Sequence, residues 1–182
     1  MKKGTAKEER LTIFIDGSNL YHSLQALKIS KINFSKFVEF LKKDKMLISV
    51  FYYNASLDIS IDKKKYWEQQ KFFDFLRRIP GFKVILARMK KHKRENGKMI
   101  FEVKGDDIML ATDIISGAYE NLYDTAMIVS GDEDFVPAIK KCQKLGKKVG
   151  NVYFSSTSSN YLKHSCDFSI CMDKYIKDMI IK

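Results

Sequence analysis

The sequence reads as an α/β protein with a mainly parallel central sheet flanked by helices, and three observations lead there. Apolar runs of strand length alternate with longer stretches of helical periodicity, the pattern of strands joined by helical crossovers. Two of those runs end directly on acidic turns, at Asp16 and at Ser130 to Asp134. Between them, Asn96 and Gly97 punctuate a basic stretch as a hairpin turn does, which places an inserted β-hairpin near 88–104.

The elements follow in order. Leu11 to Ile15 is a buried strand, and Ser18 to about Ala26 is the helix after it. Phe37, Val38, Phe40 and Leu41 recur at helical spacing within Ser35 to Lys42, and Met46 to Tyr53 returns to strand character. Asp62 caps a long helix through Arg78, which Pro80 and Gly81 end. Phe82 to Ala87 is a strand, and the hairpin pairs the basic arm Met89 to Arg94 with Met99 to Val103. A helix spans Asp106 to about Glu120, a strand Thr125 to Ser130, a helix Glu133 to Leu145 stopped by Gly146, and a strand Lys148 to Phe154. A polar loop, Ser155 to Asn160, leads to a short helix near Tyr161 to His164, a strand at Phe168 to Cys171 and a terminal helix from Asp173.

Composition narrows the class. The 182 residues, 45% hydrophobic and 13% aromatic, suit one packed domain over 11–182 behind a charged N-terminal tail, 1–10. No stretch reaches the roughly 18 to 20 continuous apolar residues of a membrane span, and the N-terminus has no apolar signal core, so a cytoplasmic protein is expected. Three cysteines without metal-finger spacing argue against both a zinc site and a secreted disulfide framework. Lys and Arg number 33 against 22 Asp and Glu, a net charge of +11 that favours a polyanionic partner such as nucleic acid. Ordinary solvation accounts for many of the lysines on its own.

Against that basic background the acids stand out. In an open parallel sheet, ligands collect beyond the carboxyl ends of the strands, which puts Asp16 and Asp132 on one edge. Asp107 points to that edge from the first turn of its helix, and Asp134 lies two residues beyond Asp132. Singly, each has a competing role as a helix cap or a partner of the helix dipole. Jointly, converging acids repel one another unless a divalent cation such as Mg²⁺ or Mn²⁺ binds them.

Phe14 to Asn19, Lys104, Gly105, Asp107, Leu110, Ala111 and Asp113, Tyr123 to Thr125, Ser130 to Phe135, and Lys140 to Val149 together resemble the NYN domain, the branch of PIN-like nucleases that includes LabA-type bacterial proteins. The resemblance covers nearly the whole chain. It implies a PIN-like Rossmannoid fold and a metal-dependent endoribonuclease in which Asp16, Asp107, Asp132 and Asp134 are catalytic and hold Mg²⁺ or Mn²⁺. Asn19 is the supporting residue it implies, with Asp106, Asp113, Ser130 and Lys104 as further candidates. Two ions about 3.5 to 4 Å apart would activate water and stabilise the leaving oxygen, leaving a 5′-phosphate and a 3′-hydroxyl.

One departure from the family pattern is Asp106, where an apolar residue is usual. Asp106 and Asp113 share a helical face from which Asp107 is displaced by roughly one sixth to one third of a turn, so the three cannot be equivalent ligands. Asp107 is the expected ligand and Asp113 the supporting acid. Substrate binding is expected from the hairpin through Lys91, Lys93, Arg94 and Lys98, and from Lys63 to Lys65 with Tyr66 and Trp67, where aromatics among lysines suit unpaired bases. The expected partner is single-stranded RNA, with DNA as the alternative and a homodimer left open. The competing function is a nucleic-acid-binding regulatory module with little or no catalysis.

Overall fold

Period-two alternation in the first strand decides how the layers form. In a computed structural model that describes residues 8–93 and 99–181, β1 (Arg10–Asp16) is the middle strand of a seven-stranded sheet. Leu11, Ile13 and Ile15 enter one hydrophobic core, while Phe14 enters a second core on the opposite face. Asp16 falls in register with Phe14, on the second face.

The other strands are β2 (Met46–Ala55), β3 (Phe82–Lys93), β4 (Met99–Lys104), β5 (Thr125–Val129), β6 (Lys148–Tyr153) and β7 (Phe168–Cys171). Their order is β4-β3-β2-β1-β5-β6-β7, parallel throughout except for the antiparallel β3–β4 pair. Helices α1 (Gly17–Ala26), α2 (Phe34–Lys42) and α3 (Lys63–Arg77) fill the first core with Leu20, Phe37, Leu41, Phe73 and Leu76. Helices α4 (Asp106–Tyr119), α5 (Val136–Lys144) and α6 (Asn160–Ser165) fill the second with Leu110, Ile114, Ile139 and Leu162. Burial on both faces explains why β5 is buried at every position and apolar without alternation from Ala126 to Val129.

The chain builds outward from β1 through β2 and β3, then crosses by α4 to the other side and continues through β5, β6 and β7. Strand order therefore reverses between β1 and β5, and a crevice opens beyond their carboxyl ends.

The β-hairpin forms at 88–104 as expected, and its first arm continues β3, which runs unbroken from Phe82 to Lys93 and pairs with β2 only as far as Ala87. Its outer half pairs with β4 from Arg88↔Lys104 to Lys93↔Met99, so the hairpin rises from the sheet at the same edge as the crevice. Its turn, with Arg94 and Lys98, lies outside the described residues. The helix expected from Glu133 is instead a 3-10 turn, Glu133–Phe135, followed by α5 with Pro137 near its start, where a missing N–H costs nothing. The expected terminal helix is two 3-10 segments, Met172–Lys174 and Ile176–Met179. The chain has to turn there so that Asn33 N–H can donate to Met179 O and Ile180 can bridge Ile32.

Candidate metal-binding active site

Tight turns bring the acids to the crevice. Asp16 ends β1 and caps α1, its Oδ1 accepting from Asn19 N–H at 2.9 Å. The Ser130 hydroxyl donates to Asp16 Oδ2 at 2.9 Å and accepts from Asp132 N–H at 3.1 Å, so one side chain ties the ends of the adjacent strands β1 and β5 together. Asp132 Oδ1 in turn accepts from Asp134 N–H at 2.9 Å and shapes the 3-10 turn. The capping role and the site position coincide in the same carboxylates, because capping engages an oxygen and leaves further lone pairs to face the crevice.

Glycines permit the close approach. A Cβ on Gly131 would lie 1.7 Å from Thr157 O, and one on Gly17 would lie 2.6 Å from both Tyr52 Cζ and Tyr53 O. No side chain fits at either position. The loop after β6 is thereby clamped onto the acidic turn. Asn19 Oδ1 accepts from Gly131 N–H at 3.0 Å and from the Thr157 hydroxyl at 3.3 Å, and Thr157 Oγ1 lies 2.7 Å from Ser23 Oγ.

At the start of α4, Gly105 adopts φ 95°, a left-handed conformation suited to glycine, and Asp106 and Asp107 occupy the first turn. They favour the positive end of the helix but crowd the other acids. Asp107 is pushed up to about 6, first by partial burial and then by the charges of Asp106, Asp16, Asp132 and Asp134. Asp16, only 8% exposed, is also raised, by burial above all, with Asp106 and Asp132 adding to it against the two hydrogen bonds it accepts. These five carboxylates therefore share one electrostatic environment.

The remaining expected residues divide differently. Asp113 accepts a 2.7 Å hydrogen bond from the Tyr53 hydroxyl, which anchors α4 to β2. Asp106, half-buried, acts on both Asp16 and Asp107, so the helical projection that separates it from Asp107 does not remove it from the site. Lys91 Nζ lies 2.6 Å from Asp58 Oδ2, and Lys93 is exposed at the end of β3. Lys104 closes β4, but its side chain lies outside the described residues. Ser159 donates to Glu133 Oε2 at 2.6 Å and caps α6, so hydroxyls of the loop before α6 are engaged within the protein.

Sequence reasoning missed Asn151. Fully buried in β6, it donates from Nδ2 to Ser130 O at 2.8 Å and to Ile128 O at 3.3 Å, and so holds the end of β5 from the neighbouring strand. The available signal was a lone amide inside an apolar strand.

The donor set is all oxygen and all carboxylate, which fits a hard divalent cation such as Mg²⁺ or Mn²⁺. Among the described residues no three His, Cys, Asp or Glu groups meet closely enough to enclose an ion, and none of the five aspartates lies within ion-pair distance of a lysine or arginine. Mutual repulsion keeps such side chains apart, and a cation supplies the opposing attraction.

Comparison with known proteins agrees with this architecture. A solved structure of a protein of unknown function, VPA0982 from Vibrio parahaemolyticus, is 25% identical, covers 98% of this chain and 99% of its own, and superposes with a TM-score of 0.74. A "putative oxidoreductase" from Parabacteroides merdae aligns at 13% identity over 80% of this chain and 25% of its own, with a TM-score of 0.31, and carries no argument. No curated protein matches. The family model of the NYN domain matches residues 10–173, a span running from β1 to just past β7, and the chain belongs to the NYN domain family of PIN-like, nuclease-type proteins.

Proposed function

We propose that this protein is a metal-dependent endoribonuclease that hydrolyses phosphodiester bonds of single-stranded RNA, with Asp16, Asp107, Asp132 and Asp134 as its catalytic carboxylates. One observation carries the reading. Acids from the ends of β1 and β5 and the start of α4 share one edge of the sheet, where burial first and then the charges of four other carboxylates raise Asp107 to about 6, and a bound cation would offset that like-charge repulsion.

These four aspartates would hold Mg²⁺ or Mn²⁺, which when bound supplies a water of lowered pKa and neutralises charge on the phosphate. Ser130 and the Asn19 N–H keep the Asp16 carboxylate in one orientation, and the Asp134 N–H does the same for Asp132. Asn19 and Thr157 hold the acidic turn against α1, and Asp106 adds negative charge beside Asp107. The basic hairpin, which extends beyond β2 at the carboxyl ends of the strands, would guide the RNA backbone through Lys93 and through Lys91, whose ammonium would have to leave or share its ion pair with Asp58. Among the described residues no helix is long and apolar enough to cross a membrane.

A nucleic-acid-binding regulatory module is the second reading, in keeping with the net charge of +11, which attracts a polyanion whether or not it is cut. Labelled single-stranded RNA, duplex RNA and DNA, incubated with Mn²⁺, Mg²⁺ or EDTA, separate the two. Metal-dependent cleavage of single-stranded RNA that is lost in Asp16→Asn and Asp132→Asn supports the enzyme. RNA binding without cleavage under any metal leaves the regulatory module, and cleavage unchanged in both variants assigns the activity to another site.

A further inference from the structure

Beside the acidic turn, on the side away from the hairpin, lies an open groove of about 450 Å³ lined by Glu133, Asp134, Val136, Pro137, Lys140 and Tyr161. Its position follows from packing. The 3-10 turn and α5 supply one wall, and α6, capped by Ser159, supplies the other. Leu162 is fully buried and anchors α6, while its neighbour Tyr161 remains 55% exposed. Lys140 Nζ lies 5.3 Å from the centroid of the Tyr161 ring and 3.2 Å from its hydroxyl. An exposed ring held by a cation is a platform for a flat aromatic group. Val136 and Pro137 add apolar surface, and Asp134 belongs both to this groove and to the acidic crevice.

We propose that this groove is a nucleobase subsite, in which Tyr161 stacks one unpaired base of an RNA strand whose adjacent phosphate lies at the acidic turn. The inference rests on the ribonuclease reading for the identity of the strand. Three features select a base over other occupants. The groove is continuous with the carboxylates through Asp134, so a ligand here is tethered to whatever occupies the crevice. Its acidic end, Glu133 and Asp134, disfavours a bare phosphate but accepts hydrogen bonds from the amino groups of bases. Its aromatic wall is open to solvent and needs an unpaired base, since a base within a duplex has its faces already stacked. Together with the hairpin on the far side, the subsite defines a path for single-stranded RNA across the crevice.

The test measures Kd and cleavage of one labelled single-stranded RNA by the wild-type protein, Tyr161→Ala, Tyr161→Phe and Lys140→Ala, with a thermal melt of each. A series of the same RNA carries one abasic residue at successive positions around the cut. Tyr161→Ala is expected to weaken binding about tenfold, the size of a lost base–aromatic stack, while Tyr161→Phe keeps wild-type affinity. Lys140→Ala, which releases the ring, should weaken binding by less than Tyr161→Ala does. One abasic position should weaken the wild-type protein by the same factor and leave Tyr161→Ala no worse. Unchanged affinity in Tyr161→Ala with a flat abasic series overturns the subsite even if cleavage is robust. Wild-type binding without cleavage sinks the catalytic reading alone, since Kd still decides the subsite, and no binding to single-stranded RNA overturns both.

Discussion

At the N-terminal edge of the sheet, Arg10 Nη2 lies 2.8 Å from Asp124 Oδ1, Lys45 Nζ lies 2.7 Å from Glu9 Oε2, and the Thr125 hydroxyl also donates to Glu9. At the C-terminal edge, five aspartates share one electrostatic environment and, among the described residues, none has a Lys or Arg within ion-pair distance, although Asp16 accepts from the Ser130 hydroxyl. The same chemical group is thus used in opposite ways a strand's length apart. Hydrogen bonds from Lys45 and Thr125 lower Glu9, whereas burial and like charge raise Asp16 and Asp107. Paired acids fasten β1 to β2 and β5. Unpaired ones are a cost to the fold that becomes useful only when a cation arrives. Acidification should therefore act on the two edges in opposite senses, weakening the first as Glu9 takes up its proton and relieving repulsion at the second.

The sharpest way to break this contrast is to neutralise the crevice. Asp16→Asn, which keeps a capping side chain for α1, and Asp132→Asn should each lower metal-dependent RNA cleavage by at least about 100-fold, more than the loss usual for residues that only support a metal ligand. Gly131→Ala comes next. Its Cβ would collide with the Thr157 carbonyl, so stability should fall by about 1–3 kcal/mol and the displaced acidic turn should lose activity, measurable by denaturant melts alongside cleavage. Retained activity in that variant would show that the clamp between the two loops does not position the acids.

Arg10→Ala tests the other edge. It removes the guanidinium hydrogen bonds to Asp124 and Asn121 but keeps the one from the Arg10 backbone N–H to Asp124, and it should lower the melting temperature while cleavage per folded molecule stays at the wild-type level. The smallest effect is expected from Asp107→Asn in EDTA. Because the folded-state pKa of Asp107 is raised from 3.8 to about 6, the wild-type protein loses stability as pH rises through that window and stays penalised above it. The variant should be more stable at pH 8 by up to about 1 kcal/mol, a discounted figure because an exposed side chain is screened, and equal at pH 4. Equal stability at both pH values would mean that the crevice acids do not repel.

Much of this was legible in the residues. Apolar runs located the central strands, since a strand buried on both faces has little room for polar side chains, the Asn96–Gly97 turn signal located the hairpin, and the position of Asp16 and Asp132 at strand ends sufficed to place both on one edge. Asp62 was recognisable as a cap, and its side chain accepts from Lys65 N–H at 3.0 Å. The terminal 3-10 segments were not legible, because contacts with residues distant in sequence, the Ile32–Ile180 bridge and the hydrogen bond from Asn33 N–H to Met179 O, turn the chain there. Nor was the groove at Tyr161, which depends on how α6 packs beside α5.

What the sequence determined by itself was the alternation of strands and helices, the basic surface and the presence of carboxylates at chain turns, all of which follow from local pattern and side-chain chemistry. Tertiary structure alone decided which acids act together. Asp113, about two turns along the same helical face as Asp106, is taken by Tyr53, while Asp106 reaches into the field of Asp16 and Asp107. Electrostatic coupling and hydrogen bonding fall off over a few ångströms, so they answer to distances that only the packing of α4 against β1 and β2 sets.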